Sequence, residues 1–353
     1  MPAESQHELR FLTNLGLVVT YKCQIACPHC VLEASPRRTE EMVLADAQRW
    51  IRESVEYPGS PFKVLSLTGG EPFCNIDLLR NIAAVAAQAG LLVTAVTNAF
   101  WAKTLEEGLR TLQSVPAVRL LAVSADAYHQ AEIPLDRVRH AIIAAEKLGL
   151  EYNVAVCTED ENDAMHLAFV AELESFADPK RISVAKTLPV GRGARSLAHL
   201  HYPMSPDPAP AACWAASTPM VFPDGRVVAC IGPVISLRTP HPLLLGNAKL
   251  TSLTEVLTRA QRNPILHALR VWGPRRLVEL LREAGFGPLL PQTYVTDSVC
   301  AACFSLMSET RVVACLNTLA EDPVLLEKVA YGRIFYLKEE EMVSALASAG
   351  TIH

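Results

Sequence analysis

The 353-residue chain lacks the features that mark proteins bound to nucleic acids or membranes. Its formal net charge is -5, its pI is about 6.1, and it has no long run of one charge sign, so it offers no basic field to a phosphate backbone. No stretch approaches the roughly 18 uninterrupted apolar residues of a membrane helix, and residues 1–10 lack the basic-then-apolar pattern of a secretory signal. We therefore predict a cytoplasmic protein without nucleic-acid or membrane partners.

Cysteine is the residue type that stands out. The chain has ten cysteines, and seven of them fall in spaced groups. Structural disulfides are rare in a reducing compartment, so grouped cysteines there indicate metal ligands or redox groups. With 50% hydrophobic and 20% charged residues, the chain is long enough to build one large domain and a smaller one without disulfides.

The first 200 residues alternate between β-rich and helical patterns. Short apolar runs begin near positions 17, 63, 91, 119, 151 and 181, and helical periodicity follows most of them, as at 78–89, 135–148 and 165–176. Gly90 and Gly149 stand where a helix would end before the next strand. The later repeats recur about every 30 residues, the length of a βα unit. Six such units with right-handed crossovers predict a partial (β/α)6 parallel barrel.

A change of composition separates this region from the rest. The stretch HYPMSPDPAPAAC near residue 200 is rich in proline and alanine and is typical of a linker. We predict a barrel over 12–198, a linker over 199–212, a small α+β domain over 213–318 and a C-terminal helical segment over 319–353. The small domain should contain a hairpin at 223–225 (PDG), and a last helix is expected near 339–348.

The stretch CQIACPHC, residues 23–30, places Cys23, Cys27 and Cys30 in the loop after the first predicted strand. Three thiolates do not complete a tetrahedral zinc site unless His29 or a distant residue supplies a fourth ligand. A cubane iron–sulfur cluster normally takes four cysteines, so three leave one iron open to another ligand. In a parallel barrel this loop lies at the carboxyl rim, where such folds place their active sites.

This motif resembles the signature of the radical S-adenosylmethionine (radical SAM) superfamily, with His29 where an aromatic residue is usual. The resemblance implies that the open iron of a 4Fe-4S cluster binds S-adenosylmethionine and that reductive cleavage yields a 5'-deoxyadenosyl radical. It also implies a flavodoxin- or ferredoxin-type electron donor. The sequence TGGEP at the end of the second strand is similar to the family motif that holds the methionine ammonium. That motif assigns cofactor contacts to four residues: Gly69, Gly70, Glu71 and Pro72. Two glycines would let backbone approach the ligand, and Glu71 would supply negative charge nearby.

Other strand ends contribute weaker candidates. Asn98, Ser124 and Asp126 follow the third and fourth strands, where members of the family contact the ribose and methionine of the cofactor; His29 is a further candidate. Asn98 and Asp126 are also typical helix caps. Arg192, in PVGRGAR after the sixth strand, is suited to clamp a carboxylate, and the alternative is a solvated surface turn.

Four further cysteines lie in the second domain: Cys213, Cys230, Cys300 and Cys303. This set fits either a zinc site or a fully ligated iron–sulfur cluster, and spacing alone does not choose between them. The pattern resembles the auxiliary-cluster modules called SPASM and twitch. The full SPASM pattern has further cysteines soon after the C-x-x-C pair, whereas here only Cys315 follows it. The chain therefore resembles the twitch module more closely, which implies a single auxiliary 4Fe-4S cluster.

The resemblance leaves the substrate open. Only about a dozen residues precede the first strand, which leaves no room for the N-terminal peptide-recognition domain that many peptide-modifying members of the family carry. We therefore predict a small polar biosynthetic substrate. We further predict that this substrate is oxidised, with the auxiliary cluster as electron acceptor. One alternative is a redox-neutral epimerase in which Cys315 returns a hydrogen atom, with Cys74 and Cys157 as further candidates. A second is a maturase of ribosomally made peptides. A third is a metal-binding scaffold without catalysis.

Overall fold

The computed structural model describes residues 11–340, which divide into two compact units. The first, called the barrel unit, comprises Gly16–Val55 and Lys63–Leu200. The second, called the auxiliary unit, comprises residues 11–15, Glu56–Phe62 and 201–340. The predicted linker at 199–212 is more structured than expected, because Met204–Ser205 form a strand of the auxiliary unit. The expected helix at 339–348 lies mostly outside the described residues.

Six strands form a sheet in the barrel unit: β1 Asn14–Thr20, β2 Val64–Gly69, β3 Leu92–Thr97, β4 Val118–Ser124, β5 Glu151–Thr158 and β6 Ile182–Lys186. Their spatial order follows the chain from β1 to β6, and the pairs from β2 to β6 are parallel. Each strand leads into helical segments: α1 Leu44–Val55, α2 Ile76–Gln88, α3 Leu105–Gln113, α4 Ala127–Gln130, α5 Leu135–Lys147, α6 Ala164–Glu174 and α7 Gly193–Ser196. This confirms the predicted six-unit parallel barrel.

Local chemistry sets the ends of these elements. The side chains of Asn75 and Thr104 accept hydrogen bonds from the first turns of α2 and α3, as capping residues do. Gly90 and Gly149 have φ of +82° and +69°, so both take the left-handed conformation that favours glycine after a helix. In β5 buried residues alternate with exposed or half-buried ones, whereas β1 is buried along nearly its whole length.

The auxiliary unit combines short strands with helices. Its strands are β7 Met204–Ser205, β8 Met220–Val221, β9 Arg226–Val228, β10 Leu244–Asn247 and β11 Tyr294–Val295. The antiparallel pair β8 and β9 is the hairpin predicted at 223–225, and β10 extends it. The helices are α8 Leu253–Gln261, α9 Pro264–Trp272, α10 Pro274–Glu283, α11 Val299–Ser308, α12 Thr310–Leu319 and α13 Pro323–Leu337.

Membrane-spanning helices were sought among residues 11–340. In that range, no single helix is long and apolar enough to cross a bilayer. Helices α11 and α12 pass this test only as a pair bent by 97°.

Candidate functional site

The loop after β1 gathers the three cysteines of the barrel unit. Cys23 and Cys27 are buried and Cys30 is half-buried. The backbone N–H of Cys30 donates to the carbonyl of Cys27 at 3.2 Å, and the N–H of Ala34 donates to the Cys30 sulfur at 3.4 Å. Desolvation by burial raises the pKa of Cys23 to about 12. The Cys23 thiol therefore needs a cationic partner before it can ionise, and bound iron would supply one.

The glycine pair after β2 packs against the backbone of this cysteine loop. The N–H of Gly70 donates to the carbonyl of Thr20 at 2.7 Å, and the N–H of Glu71 donates to the carbonyl of Lys22 at 2.9 Å. A Cβ atom added at Gly69 would overlap the Thr20 carbonyl oxygen, and one at Gly70 would overlap that of Lys22. From the sequence, the two glycines were expected to let the backbone approach a ligand. The structure adds a second reason for glycine at both positions, because each lies in close contact with the backbone of the cysteine loop.

Glu71 lies fully buried at the start of a short 3-10 turn that Pro72 opens. Its carboxylate accepts hydrogen bonds from the N–H of Phe73 (3.1 Å), the N–H of Asn98 (2.8 Å) and the hydroxyl of Thr97 (2.9 and 3.0 Å). Burial raises the pKa of Glu71 to about 7, although these donors oppose the shift. The side chain therefore joins the ends of β2 and β3, and its contact with a methionine ammonium stays a prediction.

Asn98 connects the end of β3 with the cysteine loop. Its amide oxygen accepts from Gln24 Nε2 at 2.7 Å, and its amide nitrogen lies 3.7 Å from the Cys23 sulfur. Gln24 Oε1 in turn lies 3.6 Å from Cys23 Sγ and 3.7 Å from Cys74 Sγ. Gln24 was not among the residues expected from the sequence, although its position between Cys23 and Cys27 was a signal for it.

Asp126 groups two histidines at the end of β4. Its Oδ2 lies 2.9 Å from His129 Nδ1 and 3.7 Å from His29 Nε2, and the ligand atoms of the three residues lie within 4.8 Å of one another. Burial opposes protonation of His129, but its contacts with Asp126 and Cys27 raise its pKa to about 10. Burial lowers the pKa of His29 to about 4. His129 is therefore a cation beside Cys27, and His29 is neutral at pH 7.

Arg192, which follows the last strand of the barrel unit, donates hydrogen bonds to the cysteine loop. Its guanidinium donates to the carbonyl oxygens of Cys27 at 2.7 Å and Ala34 at 2.5 Å, and its own N–H donates to the carbonyl of Cys30 at 3.1 Å. Two arms of the guanidinium therefore already hold carbonyl groups, and the predicted carboxylate clamp stays a prediction. Ser124 is half-buried at the end of β4, opposite Ala155.

The four cysteines of the auxiliary unit also lie together. Cys230 and Cys303 are buried, and Cys213 and Cys300 are half-buried. Burial raises the pKa of all four thiols, and the charges of neighbouring cysteines contribute to the shifts of Cys230, Cys300 and Cys303. The N–H of Gly232 donates to Cys230 Sγ at 3.4 Å, an arrangement that tunes iron–sulfur ligands.

The spacing of these sulfur atoms bears on the choice of metal. A tetrahedral zinc ion with bonds of about 2.3 Å brings its thiolate sulfurs to about 3.8 Å from one another. Among residues 11–340, the grouping of three ligand atoms within 4.8 Å is found at His29, Asp126 and His129, and not at either cysteine set. The choice between a zinc ion and an iron–sulfur cluster at Cys213, Cys230, Cys300 and Cys303 stays a prediction.

The proposed hydrogen donors occupy different places. Cys315 lies half-buried on α12, which packs against α11 with its C-x-x-C pair. Cys157 lies near the carboxyl end of β5, on the face whose other members, Asn153 and Ala155, are exposed. Burial raises the pKa of Cys157 to about 12, and the charge of Asp126 adds to the shift. A thiol with this pKa keeps its hydrogen at neutral pH.

A parallel barrel with an incompletely ligated three-cysteine loop at its carboxyl rim defines a domain that binds a reactive metal centre. Residues 17–173 match the family model described as "Radical SAM superfamily", so this part of the chain is a radical SAM domain. The match confirms the resemblance expected from the sequence, and that family implies a 4Fe-4S cluster and S-adenosylmethionine.

Known proteins resemble the chain beyond this domain. It is 22% identical over 302 residues to "Putative peptide biosynthesis protein YydG" of Bacillus subtilis (strain 168), which covers 83% of this chain and 91% of that protein. The crystal structure of BtrN in complex with AdoMet and 2-DOIA is similar at a TM-score of 0.43 and 14% identity, over 74% of this chain and 88% of that one. HydG, a maturase of the [FeFe]-hydrogenase, has a TM-score of 0.38 and 14% identity, over 96% and 82%.

Proposed function

We propose that the chain is a radical SAM enzyme that abstracts a hydrogen atom from a peptide and leaves the peptide oxidised. When bound, the cluster and S-adenosylmethionine supply a 5'-deoxyadenosyl radical as the abstracting species. The observation that carries the proposed radical chemistry is the three-thiol loop, whose backbone carbonyls accept hydrogen bonds from the glycine turn and from Arg192. Cys23, Cys27 and Cys30 would hold the cluster and leave one position for the cofactor.

The residues around this loop would orient the cofactor. The glycine turn fixes the backbone beside the loop through the Thr20 and Lys22 carbonyls. Asn98 and Gln24 place amide groups beside the Cys23 sulfur, where polar contacts tune a cluster. Asp126 holds His129 as a cation next to Cys27. A cation there would offset the negative charge of a thiolate-bound cluster.

The peptide substrate replaces the small polar molecule that we expected from the sequence. The support is the similarity to YydG, which spans 91% of a protein whose name refers to peptide biosynthesis. The accessible face of β5, with Asn153 and Ala155 exposed, leaves room for an extended chain beside the site. A flavodoxin- or ferredoxin-type protein is proposed as the electron donor.

Two outcomes of the reaction are considered. In the first, the peptide radical loses an electron and a proton; Cys213, Cys230, Cys300 and Cys303 would hold a second 4Fe-4S cluster, which would supply the electron acceptor. In the second, a thiol returns a hydrogen atom, so the oxidation level of the peptide is unchanged, and the proposed electron donor would reduce the resulting thiyl radical with uptake of a proton. Cys157 favours the second, because it is a protonated thiol on the accessible face of the barrel strand beside Asp126. The four buried thiols of the auxiliary unit favour the first.

Cofactor cleavage tests the proposal. After anaerobic reconstitution and addition of dithionite, the protein should release 5'-deoxyadenosine, and it should contain iron rather than zinc. The variant with Cys23, Cys27 and Cys30 all changed to Ala should release none. Cys74→Ala is the matched control, because this thiol lies in the same site but outside the motif, and it should retain cleavage. A reconstituted wild-type protein that neither binds nor cleaves S-adenosylmethionine would favour the scaffold alternative.

A further inference from the structure

A buried charge network occupies the interior of the auxiliary unit. Arg270, Arg333 and Glu339 are at most 3% exposed. The Arg270 guanidinium contacts both oxygens of the Glu339 carboxylate, at 2.5 and 3.1 Å, and Arg333 Nε donates to the same carboxylate at 2.9 Å. Phe11 N–H also donates to it at 2.8 Å. Two guanidinium groups therefore share one carboxylate.

Among residues 11–340, the network carries an excess of one positive charge. Among the described residues, the ion pairs of Arg270 and Arg333 both go to Glu339. His267, which contacts Arg270 at 3.0 Å, adds no further charge, because burial and the two arginines lower its pKa well below its usual range. Gln261 and Ser217 complete the network as neutral acceptors. A buried charge without a counterion is costly, so a negative group is expected nearby.

The proposed second cluster is the nearest candidate for that group. The N–H of Cys213 donates to the carbonyl of Leu269, the neighbour of Arg270, at 2.9 Å. Arg270 Nε donates to Ser217 Oγ at 2.9 Å, in the short turn that Cys213 opens. Arg270 therefore contacts the short turn that begins at Cys213, one of the four thiols.

We infer that Arg270 is the electrostatic counterion of a cluster held by Cys213, Cys230, Cys300 and Cys303, and that it raises the reduction potential of that cluster. The inference rests on the proposed function. A cluster with four thiolate ligands is negative, and reduction adds a further negative charge. A buried cation beside it stabilises the reduced form more than the oxidised form, because the interior screens charge poorly. Arg270 is therefore a positioning and tuning residue that favours electron acceptance.

A redox titration of the second cluster tests the inference. The full chain with Cys23, Cys27 and Cys30 changed to Ala would hold the second cluster alone, and about four irons per chain would establish that it is present. In that background, Arg270→Gln should lower the ratio of reduced to oxidised cluster at a fixed potential at least tenfold. That change corresponds to a downward shift of about 59 mV for one electron. The measurement is an EPR-monitored titration, and it needs no substrate.

Three further variants separate charge from structure. Arg270→Lys keeps the charge and should stay near the wild-type potential, whereas a fall as large as that of Arg270→Gln would overturn the inference. Arg333→Gln removes the same charge from the same network but away from Cys213, so it should shift the potential less; an equal shift would also overturn it. If the Arg270→Gln protein does not retain the second cluster, Glu339→Gln tests the inference instead. This variant removes the carboxylate that pairs with Arg270, so the reduction potential of the cluster should rise, and an unchanged or lower potential would overturn the inference. Absence of the second cluster in every background would refute the proposed function instead.

Discussion

Gly70→Ala is expected to remove the cluster of the barrel unit while leaving that of the auxiliary unit. The added Cβ would overlap the Lys22 carbonyl oxygen and lie 2.7 Å from its carbon, where contacts between carbon atoms are ordinarily about 3.5–4.0 Å. The cysteine loop must therefore retreat by about 1 Å, one residue before Cys23. The substitution carries no backbone penalty, because the φ angle of Gly70 is not positive.

The energetic cost of this displacement follows from the contacts that it breaks. Overpacking costs about 1–3 kcal/mol. The hydrogen bonds to the Thr20 and Lys22 carbonyls, at 2.7 and 2.9 Å, add about 0.5–1.5 kcal/mol each. The total is about 4 kcal/mol, a large share of the stability of a domain. Gly149→Ala is the matched control, because no atom lies within 4 Å of its added Cβ, although φ is +69°, so it should cost only about 1–2 kcal/mol.

Iron and sulfide analysis after anaerobic reconstitution measures the outcome. The wild type and Gly149→Ala should contain about eight irons per chain, and Gly70→Ala about four. The retained cluster would show that the Gly70→Ala chain is folded in its auxiliary unit. A Gly70→Ala protein that holds about eight irons and melts at the wild-type temperature would refute the argument that the glycine turn and the cysteine loop form one packed unit.

Three other predictions follow from individual side chains. Burial raises the pKa of Glu71 to about 7, so the stabilising contribution of its protonated form is present below about pH 4.5 and is lost as the pH rises through 7. In urea unfolding of the metal-free protein, Glu71→Gln should reduce the change in the free energy of unfolding across this range by up to about 3 kcal/mol. An unchanged pH dependence would contradict this. Arg192→Lys cannot hold both loop carbonyls, so a chelator should remove barrel-unit iron about tenfold faster, whereas Arg195→Lys, on an exposed side chain, should not differ from wild type. In deuterated water, an oxidised peptide without solvent deuterium at the reacting carbon is expected; a deuterium-labelled isomer that Cys157→Ala or Cys315→Ala abolishes would instead identify a thiol donor.

The sequence by itself determined the local features of the barrel unit. Short apolar runs predicted all six strands and helical periodicity predicted the helices at 78–89, 135–148 and 165–176, because the strands of a parallel barrel are buried by the helices that follow them. Gly90 and Gly149 were predicted as helix ends, since few other residues accept positive φ. The three-cysteine spacing and the TGGEP sequence predicted the family because they resemble its motifs, and three thiols are consistent with a cluster that leaves one iron open.

Only the tertiary structure decided which groups meet. Glu71 bridges to Thr97 and Asn98, and Arg192 reaches Cys27 across 165 positions of the chain. The network of Arg270, Arg333 and Glu339 brings residues 69 positions apart into a single buried charge cluster. No local pattern encodes such contacts, because burial of a charged side chain depends on the elements that pack around it. For the same reason, the sequence placed Cys157 and Cys315 in one list of candidate donors, and the fold assigned them to different units.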